Sequence, residues 1–118
     1  MNKTYEEKIN LLDIDNLMFC LFIIASLLNL DANEKMKESY LYNNVSKEKI
    51  RKQFIFSSYL ILIVFIVFMK RNYDNLNKLN NKKSEYNFAL IRLYGSILIV
   101  IGQILVIYYL YNTNNFQD

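Results

Sequence analysis

From Leu93 to Tyr111 the chain runs nineteen residues without a charge, and Phe54 to Met69 runs sixteen more. A helix needs ~20 mostly apolar residues to cross ~30 Å of hydrocarbon at 1.5 Å per residue. Two such runs in 118 residues narrow what the chain can fold into more than any other feature. A surface helix of a small soluble bundle needs a polar stripe opposite its buried stripe. Tyr59–Met69 has none, and Ile97–Ile107 is interrupted only by Gly102 and Gln103. A domain this small has too much surface to hide three such helices. The expected class is all-α, a small integral membrane protein folded as a single domain.

Three transmembrane helices are expected, at about 11–30, 52–71 and 88–111, joined by polar loops 31–51 and 72–87. The third is the clearest. Ser84 can cap its start with Glu85 in the first turn, and Tyr94, Tyr108, Tyr109 and Tyr111 are placed as interfacial anchors. The second has Ser46 as a cap, basic residues before Phe54, and Lys70 and Arg71 after Met69. Those long side chains can snorkel and extend a short span. The first is the shortest, because Leu17–Leu28 holds only twelve residues. Reaching twenty means starting at Leu11 and including Asp13, Asp15 and Asn16, so an interfacial or re-entrant helix is the rival reading. Asp31–Asn44 reads as a short polar helix or loop, and Arg71–Lys83 as an Asn-rich, partly flexible connection. No repeat of fixed period stands out.

An ionisable residue within a span is a functional hypothesis by default. Arg92 is the positive charge of the third segment. In an alternating three-helix topology the first and third helices start on the same side, which puts Asp13 and Asp15 near its level. An intramembrane ion pair of Arg92 with Asp13 or Asp15, in a structural role, is therefore the candidate, with snorkelling of Arg92 to the headgroups as the rival reading. At 100° per residue Arg92, Ser96 and Gln103 fall within about 40° of one another, with Gly95 and Gly102 on the adjoining flank. Small residues let helices approach closely and Ser or Gln can hydrogen-bond across the contact. Gly95, Ser96, Gly102 and Gln103 are the expected helix-packing face. Ser57 and Ser58 can bond back to the preceding turn and need no further role. Asp15, Ser26 and Asn29 lie roughly along one stripe of the first segment.

The inventory also argues against several chemistries. With no His and a single Cys20, a nucleophile–His–acid triad is ruled out and no metal site is expected. The two glycines form neither a phosphate loop nor a dinucleotide fingerprint. Asp13 and Asp15 lie about 200° apart on a helix, so they do not converge as an acid/base pair. No enzyme activity, cofactor or nucleic-acid partner is expected. The net charge of +3 is spread among glutamates and does not form a basic face. No cleavable signal peptide or lipidation signal is read at either end. Heavy use of Asn, Lys, Ile and Tyr, with no Pro or Trp, reads as the codon bias of an AT-rich genome and points to a bacterial cytoplasmic membrane.

The positive-inside rule puts the N-terminus inside and the C-terminus outside, chiefly because the basic flank of the third helix all precedes it. The expected partners are the lipid bilayer and either further copies of the chain or a larger membrane complex. The expected function is that of a helix-contact protein, an accessory or regulatory subunit or a homo-oligomer. In size and span count the chain resembles small phage-type holins, which oligomerise to permeabilise the inner membrane. That resemblance implies a pore-former, although the tail YNTNNFQD departs from the basic tail of that layout. A small transporter or an immunity-type membrane protein is the remaining alternative.

Overall fold

A computed structural model describes residues 3–42, 47–79 and 83–113. They form three helices, α1 (Lys3–Tyr42), α2 (Lys47–Lys78) and α3 (Lys83–Asn112), each long and apolar enough to cross a membrane. The cap assigned to Ser46 and the tail beyond Thr113 lie outside the described residues. α3 begins at Lys83, one residue before the expected cap at Ser84.

All three helices run further than the apolar stretches inside them. α1 continues without a break through Asp31–Tyr42, where a short polar helix or loop was expected. Pro and Gly are absent from that segment, and Asp31–Lys35 (2.9 Å) and Glu34–Lys37 (3.5 Å) pair along its surface. α2 likewise continues through Arg71–Lys78, because Asn72 and Leu76 in that Asn-rich stretch are buried. Most of both expected polar loops is therefore helical.

α2 lies between the other two. It packs against α1 on one face and α3 on another, while α1 and α3 make no helix contact among the described residues. The result is a layer with extents of 60 × 30 × 17 Å. A seven-residue repeat organises both contacts. The buried residues of α1 are Met18, Ala25, Ala32 and Ser39, each seven after the last. α2 answers with Ile50, Ser57 and Val64, and α3 with Leu93, Val100 and Ile107. This is the spacing at which apolar positions stay on one seam between two helices. The repeat escapes a hydropathy reading because the residues around it are just as apolar as those within it.

Small residues set how closely the helices approach. Ala25, Ala32, Ile50 and Ser57 are all 0 % exposed, so no room is left beside them. Nearer the other end of the seam, Phe19 meets Phe68 with ring centres 5.8 Å apart and Phe22 meets Phe65 at 6.3 Å. Ala25→Leu should therefore destabilise the fold by about 1–3 kcal/mol through overpacking. Exposed Ile24→Leu should stay within about 0.5 kcal/mol of the parent. Denaturant titration in mixed micelles measures both.

Candidate functional site: polar contacts between the helices

In lipid the hydrophobic effect does not press helices together, and packing and hydrogen bonds decide which faces meet. α2 carries polar side chains near both ends of its apolar stretch, and they divide between its two neighbours.

Toward α1, Ser57 Oγ donates to Asn29 Oδ1, with Ser57 fully buried. One turn earlier, Gln53 Nε2 donates to the Leu28 carbonyl (2.9 Å) and to Asp31 Oδ2 (2.8 Å). Its Oε1 accepts from Lys35 Nζ at 2.9 Å, and Lys35 also pairs with Asp31. Both amide protons and the amide oxygen of Gln53 are thus engaged in one closed network. At the opposite end of the seam Arg71 forms an ion pair with Asp15, and its guanidinium also faces the Leu11 carbonyl at 3.5 Å. The two side chains are 23 % and 17 % exposed, sheltered enough for the charges to need each other.

Toward α3, Asn72 Nδ2 donates to Ser96 Oγ, which passes its own proton to the Arg92 carbonyl at 3.0 Å. Gln103 Nε2 donates to the Ser58 carbonyl at 2.9 Å. Near the far end, Tyr59 and Tyr111 join their hydroxyls at 3.3 Å, and the Arg51 guanidinium donates to the Thr113 carbonyl just past the end of α3. A cation there complements the negative end of the helix dipole.

These contacts redistribute the expected roles. Asp15 takes Arg71 as its partner in place of Arg92, because α2 stands between α1 and α3. Asp13 and Arg92 are both exposed. Of the expected packing face, Ser96 and Gln103 hold α2, whereas a Cβ added at Gly95 or Gly102 would meet nothing within 4 Å. The glycines therefore do not serve the contact within this chain. Ser57 and Ser58 are both buried; Ser57 bonds back to the Phe54 carbonyl (2.9 Å) and also reaches Asn29, and the Ser58 carbonyl accepts from Gln103. Ser26 bonds to Phe22, one turn back, and is exposed.

Gln53, Arg71 and Asn72 are the contributors missed in the sequence. Each lies just beside an apolar run, where a polar residue ordinarily marks the end of a span. The seven-residue steps Ile50–Ser57–Val64–Arg71 and Ser58–Phe65–Asn72 were the available signal.

If the Asp15–Arg71 pair locks α1 to α2, Arg71→Asp should destabilise the fold and Asp15→Arg in the same chain should restore much of the loss. Arg92→Asp should give a smaller loss, and Asp15→Arg should not repair it. Asn72→Ala and Gln103→Ala should each lower stability by about 0.6 kcal/mol, up to ~1.7. Unfolding in mixed micelles checks all of these. Comparison of the chain with protein-family models, with curated proteins and with solved structures finds no match.

Proposed function

We propose that this chain is a three-span membrane protein, without enzymatic activity, that acts through helix–helix contacts as a homo-oligomer or as an accessory subunit of a membrane complex. The observation that carries this reading is the division of labour on α3. Its polar side chains Ser96 and Gln103 are occupied by α2, while Gly95 and Gly102 leave an open flank on which a second protein helix can approach closely.

The spacing of the polar clamps supports the membrane placement. Gln53 and Arg71 are eighteen residues apart on α2. That separation is ~27 Å along a helix, close to the ~30 Å of a bilayer's hydrocarbon. The charged networks then sit at the two boundaries and the neutral bonds of Ser57, Ser58 and Gln103 inside. The same bonds weigh against a pore or transport path through one copy, since the Ser57 and Gln103 side chains are turned to neighbouring helices and Ser58 is buried. For orientation we retain N-terminus inside, on the basic residues Lys70, Arg71, Lys78, Lys82 and Lys83 around the second connection.

A single cysteine at Gly102, in a Cys20→Ala background, should crosslink on oxidation in native membranes. A product of twice the chain mass assigns a homo-oligomer, and a bifunctional reagent giving one discrete heavier product assigns a partner subunit. Cysteine at Val100, which is buried against α2, should give neither. Absence of any product at both Gly95 and Gly102 overturns the contact reading, and dye release from reconstituted vesicles would replace it with the pore-former. Thiol labelling at Thr4 and Lys78 from the inner side, and at Glu38 from the outer side, is the result expected for the orientation.

A further inference from the structure

Between the last turns of α2 and the first turns of α3 lies a cleft of about 460 Å³, bordered by Asn72, Asn75, Lys78, Glu85, Phe88 and Arg92. We infer that this cleft holds the phosphate of an anionic lipid headgroup, with Arg92 and Lys78 as its cationic contacts. The inference rests on the bilayer placement proposed above and is independent of the oligomer reading.

Four observations converge on it. The first is charge. Arg71 is already neutralised by Asp15, but neither Lys78 nor Arg92 has an ion-pair partner among the described residues. Two unpaired cations facing one cleft attract an anion, and a guanidinium suits a phosphate in particular because its fork can donate two parallel bonds.

The second is depth. Arg92 immediately precedes the charge-free stretch that begins at Leu93, and Asn72 follows the apolar stretch of α2 by three residues. The inner end of the cleft is therefore level with the boundary between hydrocarbon and headgroups, where lipid phosphates lie.

The third is polarity along the cleft. Glu85 is seven residues before Arg92, or ~10 Å along the helix. The acid thus stands at the outer rim and the arginine at the inner end, with Phe88 between them. A headgroup whose phosphate is innermost meets the cation first and has an aromatic ring beside its glycerol. The fourth is rigidity. The Asn72–Ser96 hydrogen bond ties the two walls together one turn from Arg92, so their spacing at the inner end is fixed before any ligand arrives.

Native mass spectrometry of the whole chain in a neutral detergent, titrated with phosphatidylglycerol, tests the assignment. Phosphatidylglycerol should remain bound at concentrations where phosphatidylcholine does not. Arg92→Gln should weaken its binding about tenfold, as expected for loss of a charge-assisted contact, and Lys78→Gln by a smaller factor. Glu85→Gln should strengthen binding, a gain that a misfolded variant could not produce. Lys47→Gln, an exposed cation at the other end of α2, should change nothing. Equal losses for Lys47→Gln and Arg92→Gln would reduce the effect to general surface charge and overturn the site. So would equal binding of the two lipids. Full displacement by millimolar inorganic phosphate would overturn the lipid assignment in favour of a free anion.

Discussion

The middle helix has to satisfy two partners at once, and the rest of the structure follows from how it does so. α1 and α3 never meet among the described residues, so every tertiary contact between helices runs through α2. Its faces are specialised. Gln53, Ser57 and Arg71 address α1, while Ser58 and Asn72 address α3. Adjacent residues serve different neighbours, Ser57 and Ser58 at one level and Arg71 and Asn72 at another. The 100° between consecutive helix positions is what lets one helix do this.

Energetically the two seams combine close packing with a few obligatory bonds. Apolar matching alone cannot distinguish one face of such helices from another, since lipid tails are as apolar as leucine. Ala25, Ala32 and Ser57 permit contact at distances that larger residues would forbid. The Asn29–Ser57 and Gln103–Ser58 bonds then penalise a slipped register, because a slip would leave polar groups in hydrocarbon without partners. Where charge is involved, at Asp15–Arg71 and in the Asp31–Lys35–Gln53 network, the groups stand at the ends of the apolar stretch of α2.

The fold class was legible in the residues, since length and apolarity alone demand three membrane-competent helices. The helix ends were not. The polar tails of α1 and α2 look like loops in isolation, yet each buries part of itself, Ala32 and Ser39 in the first and Asn72 and Leu76 in the second. The partner of Asp15 was misassigned for a related reason. Matching depths along alternating helices says which charges share a level, but the order of helices across the layer decides which can touch. Arg71 and Arg92 share a level, and only Arg71 is on the helix next to α1. Ser96 and Gln103 were recognisable as inward-facing, whereas their partners, Asn72 donating through its amide and Ser58 accepting through its carbonyl, carry no pattern that a linear reading weights.

The unbroken length of α1 has a mechanical consequence. Forty helical residues make a rod of ~60 Å, about twice the hydrocarbon thickness. The twelve residues beyond Leu30 are braced against the start of α2 through Lys35–Gln53 and the buried Ser39. A rod so braced does not absorb a push at its tip by bending locally. It pivots, and about Leu30 a tilt of 10° carries the Tyr42 tip roughly 3 Å sideways and the Asp15 end roughly 4 Å the opposite way. The Tyr42 end of α1 is thus the short arm of a lever whose longer arm lies in the bilayer.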